Sequence, residues 1–241
     1  MRTLLIICML FSIQILSAQE LLNTHKNESD IQGRKQGYWK VFDVNGYLKF
    51  EGAFKDNIPY GEFKYYYPKG SIRARSFIYN DGKESRTKIY HENGKLMASG
   101  KYLNMEKDSV WNYYSDFDGI LLSEETFENN IKTGTWRKFF PDGSIAETLI
   151  YVNNKKDGSW RQYFPNAQMK LKAEYIDGNL QGLITIYHPN GEVHISGNYK
   201  NNIKEGAWMY FNDSKENYKM EIYEYGKLIK TEDYETMYEV K

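Results

Sequence analysis

A sequence pattern that returns every 24 residues constrains this chain more than any other feature. Each copy contains Gly-x-Trp-x-x-(Phe/Tyr), with variation at the tryptophan and usually a second glycine nine residues after the first. Six copies start at Gly37, Gly61, Gly134, Gly158, Gly182 and Gly206, and two degenerate copies start at Ser85 and Ser109. A fixed period of about 20 to 50 residues is typical of an array of stacked units. Such arrays present surfaces, and they seldom assemble a catalytic pocket.

Two turn signals divide each copy into two strands. In the copy that starts at Gly134, Pro141-Asp142-Gly143 indicates one turn and Asn153-Asn154 indicates another. The runs between these turns are rich in aromatic and branched residues, which favour strands. We therefore expect an all-β fold, an elongated single-layer antiparallel sheet of tandem β-hairpins. The fourth copy is one residue longer, and the extra residue near Gly119 falls in a predicted turn, where a loop accepts it.

Alignment of the copies, with each start taken as position 0, places aromatic residues at two fixed positions. Position 2 holds every tryptophan of the chain: Trp39, Trp111, Trp136, Trp160 and Trp208. Position 5 is aromatic in every copy: Phe42, Tyr66, Tyr90, Tyr114, Phe139, Tyr163, Tyr187 and Phe211. Because the two positions are an odd number of residues apart, a regular strand would place them on opposite faces. Either both faces carry aromatic residues, or a β-bulge resets the alternation.

The N-terminal segment predicts export. Residues 1–18 combine Arg2 with an apolar run, Leu4–Leu16, and with small residues up to Ala18, which is typical of a secretory signal peptide. This run is too short to span a bilayer, and we expect no transmembrane segment. Cleavage near Ala18 would leave a periplasmic or extracellular protein.

The rest of the chain divides by its match to the repeat. Residues 19–32 are polar and predict a flexible lead, and residues 33–230 hold the eight repeats. Residues 231–241 predict either a final edge strand that caps the array or a frayed tail.

Composition excludes several functional classes. The chain has 32 Lys and Arg against 32 Asp and Glu, whereas a nucleic-acid partner would demand a clustered basic surface. The single cysteine, Cys8, lies in the predicted signal peptide. The mature chain would therefore have no disulfide, no thiolate metal site and no cysteine nucleophile.

The repeat resembles a known family. Gly-x-Trp-x-x-(Tyr/Phe)-x-x-x-Gly-x-Leu, followed by an aromatic residue and Asn-Gly or Asn-Asn, is similar to the MORN repeat over about residues 33–230. The similarity is greatest to the bacterial variant found in proteins assigned as antitoxin components of toxin–antitoxin modules. The resemblance implies stacked hairpins, a scaffolding role and, for the bacterial variant, neutralisation of a toxin. It carries no catalytic residues. The copies at Ser85 and Ser109 lack the opening glycine, so their strand pairing is not predicted.

Side chains capable of chemistry form no recognisable constellation. His188 and His194 flank one turn, but a metal site would need a third ligand, for which Glu192 is the only local candidate. Glu125 and Glu147 interrupt the apolar alternation of their strands, and we interpret them as partly exposed positions on a thin sheet. No Ser-His-Asp order, phosphate-binding glycine loop or zinc spacing is present. We expect no enzyme activity, no metal and no cofactor.

These patterns predict a secreted, non-enzymatic repeat scaffold that binds an unknown protein partner through an aromatic-lined face of the sheet. The candidate contact residues are Trp39, Trp111, Trp136, Trp160, Trp208, Tyr66, Tyr90, Tyr114, Tyr163 and Tyr187. Two alternatives are an antitoxin or immunity-type protein and a glycan-binding or cell-wall-binding module. The oligomeric state and the outward-facing aromatic column are not predicted.

Overall fold

The computed structural model describes residues 27–212 and 217–235, which form strands and turns and contain no helix. The predicted signal peptide, residues 1–18, lies outside the described residues. The chain divides into two compact units, Met1–Gly94 and Lys95–Lys241. We call these the N-terminal unit and the C-terminal unit, and each is described by itself.

The N-terminal unit contains six strands in its described part. They are β1 (Glu28–Ser29), β2 (Lys35–Phe42), β3 (Leu48–Lys55), β4 (Ile58–Tyr66), β5 (Ile72–Tyr79) and β6 (Glu84–Tyr90).

The C-terminal unit contains the remaining strands of the described residues. They are β7 (Leu96–Leu103), β8 (Glu106–Tyr114), β9 (Leu121–Glu128), β10 (Ile131–Lys132), β11 (Gly134–Phe139), β12 (Ile145–Val152), β13 (Lys155–Tyr163), β14 (Met169–Ile176), β15 (Asn179–Leu180), β16 (Gly182–Tyr187), β17 (Val193–Lys200), β18 (Ile203–Phe211), β19 (Asn217–Glu224) and β20 (Lys227–Glu235).

Consecutive strands pair antiparallel within each unit, which confirms the predicted all-β array of hairpins. Strand β9 pairs with both β10 and β11, and β14 pairs with both β15 and β16. Strands β10 and β11 are therefore two parts of one strand interrupted by a bulge, and so are β15 and β16. Strand β1 lies within residues 19–32, predicted as a lead, and β20 extends to Glu235, into residues 231–241, for which a final edge strand was one of the two predictions.

The hairpins are linked by tight turns whose two central residues have positive φ. In Asn153-Asn154 the φ angles are 48° and 68°, as a type I′ turn requires. Asparagine tolerates this left-handed region better than most residues, which explains its recurrence at these turns. The strands on either side of each turn therefore pair without a gap.

The opening glycine of the repeat forms a bulge between neighbouring hairpins. Between β3 and β4 the pairing steps from Glu51↔Lys64 to Ala53↔Tyr60, so β4 carries two extra residues. Gly61, inside this bulge, has a φ of 73°. A left-handed residue at this point favours glycine, which explains the fixed position 0 of the repeat.

The two copies without an opening glycine differ from each other in whether they keep this bulge. Ser109 keeps the bulge and adopts a φ of 62°. At Ser85 the bulge is absent, and β5 pairs with β6 in unbroken register from Ala74↔Ile89 to Tyr79↔Glu84. The connecting turn is correspondingly longer, because it spans the four residues 80–83. Two residues have moved from the bulge into the turn, which preserves the 24-residue period.

A second register shift lies near the tip of most hairpins, in the second strand, whereas β18 and β19 pair without one. Val41 pairs with Phe50 and Phe42 pairs with Leu48, so Lys49 is the extra residue. The first strand alternates without interruption, and positions 2 and 5 therefore lie on opposite faces. Of the two possibilities that the sequence left open, both faces carry aromatic residues.

We name the two faces by the positions that they present. The tryptophan face carries positions −2, 2 and 4 of the first strand and positions 13, 15 and 17 of the second. The polar face carries positions 1, 3 and 5 of the first strand and positions 14 and 16 of the second. Positions after the insertion in the fourth copy are counted without the extra residue.

Candidate binding face

Aromatic rings run along the tryptophan face from hairpin to hairpin. In the N-terminal unit, Phe54 lies between Trp39 and Phe63, with centroid distances of 6.2 and 5.2 Å. In the C-terminal unit, Trp136 lies between Phe127 and Tyr151, at 5.5 and 4.6 Å. Edge-to-face and tilted pairs at these distances are favourable beyond the area that they bury. These contacts join neighbouring hairpins, so the ladder is part of the core of a single-layer sheet.

Small residues at position 15 make room for the next ring. A Cβ placed on Gly100 would lie 2.3 Å from the ring of Trp111, and one on Gly197 would lie 2.2 Å from that of Trp208. Neither glycine has a positive φ, so close approach and not backbone conformation requires glycine there. Trp111 is 0% exposed and Trp208 is 3% exposed as a result.

Most indole N–H groups are satisfied by backbone carbonyls of the preceding hairpin. Trp111 donates to the carbonyl of Lys101 at 3.0 Å, and Trp208 donates to that of Asn198 at 3.2 Å. Trp160 is different, and Leu149 occupies position 15 of the copy before it. Its Nε1 donates to a carboxylate oxygen of Glu147 at 2.7 Å.

A lysine at position −2 lies over each ring ladder that contains a tryptophan. The five are Lys35, Lys107, Lys132, Lys156 and Lys204, and we call them the lysine column. Lys132 Nζ is 4.6 Å from the centroid of Trp136, and Lys204 Nζ is 4.3 Å from that of Trp208. Lys156 Nζ lies 4.8 Å from the ring of Tyr175, which contacts Trp160. These are cation–π distances, and the lysine stems cover apolar surface on the way.

The asparagine turns fix the backbone of this lysine column. Asn154 accepts a hydrogen bond from the backbone N–H of Lys132 on its side-chain Oδ1 at 2.9 Å and donates its own N–H to the Lys132 carbonyl at 3.0 Å. Asn130 makes the same pair of contacts with Lys107. We call this arrangement the asparagine clamp. It connects the turn at one end of a copy to the strand that begins that copy.

The lysines of the column differ in environment. Burial lowers the pKa of Lys107, and the nearby carboxylate of Glu125 offsets part of that effect. For Lys204, burial acts in the same direction, but hydrogen bonds to the hydroxyls of Tyr210 and Tyr223 outweigh it and raise the pKa.

Several charges on the polar face are paired with one another. Glu51 lies between Lys40 and Lys64, each at 3.8 Å, and accepts a hydrogen bond from the hydroxyl of Tyr66 at 2.6 Å. In the C-terminal unit, Arg137 pairs with Glu124 at 3.3 Å. The polar face therefore forms a network of ion pairs and tyrosine hydroxyls.

One region of the tryptophan face in the C-terminal unit is polar. Glu147 accepts hydrogen bonds from Trp160 and Gln162 and pairs with Lys138 at 2.7 Å. Burial alone would raise the pKa of Glu147, but these donors lower it. Glu125, two strands away, borders the same open depression. The glutamates that interrupt the sequence alternation therefore replace apolar contacts with a hydrogen-bonded patch.

Glu125 and Glu221 occupy the same repeat position in different surroundings. Each has a tyrosine at position 4 beside it, and Glu125 also has Lys107 and Lys132 of the column nearby. Glu221 also has Lys219, whose Nζ lies 2.7 Å from its Oε1, and its pKa falls to about 2. Glu125 has Ser123 where Glu221 has Lys219. Burial raises the pKa of Glu125, and the nearby lysines reduce this effect only in part.

The structure places the candidate contact residues of the sequence prediction on both faces. Trp111 and Trp208 are buried, so these two rings support the sheet and offer no contact area. The other three tryptophans are half-buried: Trp39, Trp136 and Trp160. The candidate tyrosines are half-buried on the opposite, polar face: Tyr66, Tyr90, Tyr114, Tyr163 and Tyr187. One partner surface cannot contact both columns, and contact by either column stays a prediction.

The sequence prediction missed the lysine column, although its signal is present. Every tryptophan follows a lysine by four residues, in the pattern Lys-x-(Gly/Ser)-x-Trp. In the copies without tryptophan, the equivalent positions are Pro59, Lys83 and Leu180. Lys83 lies in the longer turn before β6, so its position in space differs from that of the column.

The structure also places the two histidines that the sequence analysis considered as metal ligands. The rings of His188 and His194 stack at 4.1 Å, and His188 Nε2 lies 3.2 Å from the carbonyl oxygen of Phe211. No group of three or more His, Cys, Asp and Glu side chains among the described residues could hold a metal ion. In the same part of the chain, no helix has the length and hydrophobicity needed to cross a membrane.

These hairpins and their two faces define a tandem β-hairpin repeat protein, a scaffold built of one repeated unit. Four segments, residues 59–81, 83–104, 132–153 and 180–201, match the MORN repeat variant family. These matches show that the chain contains MORN repeats. Each matched segment begins two residues before a start of the 24-residue pattern, and one of these starts is the degenerate Ser85.

Comparison with whole proteins adds little. No curated protein matches the chain. Among solved structures, a chain in the crystal structure of TcdB2-TccC3-TEV is 10% identical over 82% of this chain, with a TM-score of 0.19. This chain spans 13% of the length of that one. A TM-score this low supports no inference about fold or function.

Proposed function

We propose that this MORN repeat protein is a non-enzymatic scaffold that binds a protein partner on its tryptophan face. The observation that carries the proposal is the contrast between the two faces. Both faces carry half-buried rings, but the polar face combines them with ion pairs and tyrosine hydroxyls, whereas the tryptophan face combines a ladder of packed rings with a column of lysines. Apolar surface rimmed by polar groups is typical of protein interfaces, and aromatic anchors supply much of their affinity.

The proposal includes export, which rests on the apolar segment Leu4–Leu16 and the small residues that follow it. A fusion of residues 1–24 to a reporter enzyme that is active only after export tests this part. Loss of export after Leu5→Arg and Ile6→Arg substitutions is expected. Equal reporter activity with and without these changes would contradict it.

The two alternative functions are supported less well. Neutralisation of a toxin rests on the resemblance to bacterial MORN variants, and a toxin gene beside this one would favour it. Sugar binding by stacking requires open ring faces. On the tryptophan face, lysine stems cover rings such as Trp136 and Tyr151, which disfavours stacking there.

Site-specific photo-crosslinking in the native host tests the binding proposal. Gln162 and Arg161 are neighbours in β13 and lie on the tryptophan face and the polar face, respectively. A crosslinking amino acid at residue 162 should give a discrete adduct with one protein, and the same amino acid at residue 161 should not. An adduct from residue 161 alone, or equal adducts from both, would refute the choice of face.

A further inference from the structure

Within the described part of the chain, the lysines of the column form no close ion pair, although the Glu125 carboxylate interacts with Lys107 and Lys132 at longer range. Ion pairs within 4.0 Å involve Lys40, Lys64 and Arg137 on the polar face and Lys138 and Lys219 on the tryptophan face. Among the described residues, no member of the column is in such a pair. Lys132 and Lys156 contact rings through their ammonium groups. An ammonium carries three donors, so donors remain for an anionic group.

The tryptophan face of the C-terminal unit is positively charged as a whole. From β7 to β19, its positions hold six lysines and three glutamates, a net charge of +3, in a chain whose net charge is zero. The residues are Lys107, Lys132, Lys138, Lys156, Lys204, Lys219, Glu125, Glu147 and Glu221. Complementary charge steers and selects a partner, so this face favours an acidic one.

The column also has a fixed spacing. Lys107, Lys132 and Lys156 lie in β8, β10 and β13, and each is two strands from the next. Neighbouring strands are about 4.8 Å apart, so successive lysines are about 9.5 Å apart. A polyproline II segment rises about 3.1 Å per residue with three residues per turn, so every third side chain returns to one side after about 9.3 Å. The spacing of the lysines therefore matches the distance between every third side chain of a polyproline II segment.

We infer that the tryptophan face of the C-terminal unit binds an extended acidic segment of a partner protein, with carboxylates at every third residue on Lys107, Lys132 and Lys156. This inference rests on the proposed function and specifies its partner. The segment would cross the strands, and its apolar residues would pack on the apolar lysine stems and on the ring edges that these stems leave exposed. Polyproline II segments commonly dock on aromatic surfaces in this way.

The probe is a fluorescent peptide of four Glu-Pro-Pro triplets, titrated with the full mature chain and followed by fluorescence anisotropy. Two controls are the peptide with glutamine in place of glutamate and a peptide of the same composition with its glutamates in one block. We expect binding that weakens as salt is added, and weaker binding of both controls. Equal binding of the glutamine peptide would overturn the inference.

The variant pair Lys132→Met and Lys156→Met removes two charges while retaining long apolar stems over the rings. It should weaken peptide binding roughly tenfold or more. Lys172→Met, an exposed lysine on the polar face of the same unit, is the matched control and should change binding less than about twofold. Circular dichroism verifies that all variants are folded. Equal losses in both variants would overturn the inference, as would tighter binding of a carboxylated polysaccharide than of the peptide.

Crosslinking separates this inference from the proposed function. If the adduct at residue 162 persists in the Lys132→Met and Lys156→Met variant, the scaffold proposal stands and the acidic-segment inference fails. If no adduct forms at residue 162 in the protein that retains Lys132 and Lys156, the proposed function itself fails. Loss of the adduct only in the lysine variant supports both.

Discussion

Individual residues of the tryptophan face are matched in size across neighbouring hairpins. Gly52, Gly100 and Gly197 each lie against a large ring of the next copy, whereas Ala173 lies beside Ile184. Where Leu149 takes this position, the indole of Trp160 bonds to Glu147 and not to a backbone carbonyl. The ring orientation of one copy therefore depends on a side chain in the copy before it.

This dependence predicts the effect of a single methyl group. Gly197→Ala should lower the free energy of unfolding by about 1 to 3 kcal/mol, because its Cβ would overlap the Trp208 ring. In a Trp208→Ile background, which imitates the Ala173 and Ile184 pair, the same change should cost less than about 0.5 kcal/mol. Urea unfolding of the four proteins measures both values. An equal cost in both backgrounds would show that the ring is not responsible.

The two glutamates at position 15 predict opposite responses to pH. Glu221 has a pKa of about 2 in the folded chain against 4.5 ordinarily, so the folded state releases its proton more readily. Its contribution is present above pH 4.5 and disappears as pH falls toward 2. After allowance for solvent screening, Glu221→Gln should lower the free energy of unfolding at pH 7 by on the order of 1 kcal/mol.

For Glu125 the sign is reversed, because burial raises its pKa and its ionisation opposes folding. Its unfavourable contribution grows as pH rises above 4.5. Glu125→Gln should therefore raise the free energy of unfolding at pH 7, and the gain should vanish at acidic pH. Urea titrations of both variants at several pH values test the pair. Destabilisation at pH 7 by both substitutions would contradict this assignment.

At the scale of elements, the asparagine clamp ties each connecting turn to the first strand of its own copy. Within one turn, Asn153 and Asn154 have similar φ angles, but the clamp to Lys132 uses the side chain of Asn154. The sixth copy has Gly178 at the equivalent place and keeps the backbone bond to the Lys156 carbonyl. The fold therefore tolerates glycine there.

Asn154→Gly should lower the free energy of unfolding by about 1 kcal/mol, because glycine accepts the left-handed turn but removes the acceptor for the Lys132 N–H. Asn153→Gly is the matched control and should change it by less than about 0.5 kcal/mol. Chemical denaturation gives both values. Similar effects of the two substitutions would show that the asparagine clamp does not account for the loss of stability.

The hairpins and their turns were predictable because their signals are local. Pro141-Asp142-Gly143 and Asn153-Asn154 each specify a turn within a few residues. The face of the sheet on which each aromatic column lies was not predictable. The alternation of side chains depends on which of two paired strands carries the bulge, and the pairing between strands determines this. The loss of the bulge at Ser85 is of the same kind, since it depends on the length of the preceding turn.

The candidate site was predictable only in part. The tryptophan column is visible in the sequence, but the burial of Trp111 and Trp208 depends on glycines about eleven residues earlier in the chain. The lysine column shares the same period and could have been found by aligning the residues before each start. Its unpaired charge depends on side-chain distances, which a sequence does not contain.

At the scale of the whole molecule, stability should vary along the array, since each hairpin contacts mainly its neighbours. The buried cluster of Leu171, Ala173, Ile184 and Trp208 lies in the interior of the C-terminal unit. Strand β20, in contrast, has exposed apolar side chains at Leu228 and Ile229. Repeat arrays with such gradients open locally before they unfold globally.

Hydrogen exchange followed by mass spectrometry should therefore give the greatest protection in β14, β16 and β17 and less in β20. Peptides from β20 are expected to exchange at least about tenfold faster than those from β14. Global unfolding as one cooperative unit would instead give all strands the same slow rate, and that result would contradict a graded array.

The asparagine clamp also bears on how such a chain can change over generations. Each clamp begins and ends within one copy, as Asn130 with Lys107 and Asn154 with Lys132 illustrate. An in-frame duplication or deletion of one copy would therefore leave every other clamp intact. Contacts across the new junction would need only a ring and a small residue of compatible size. Recombination can thus lengthen or shorten the lysine column, and with it the length of partner that the scaffold accommodates, without redesigning any hairpin.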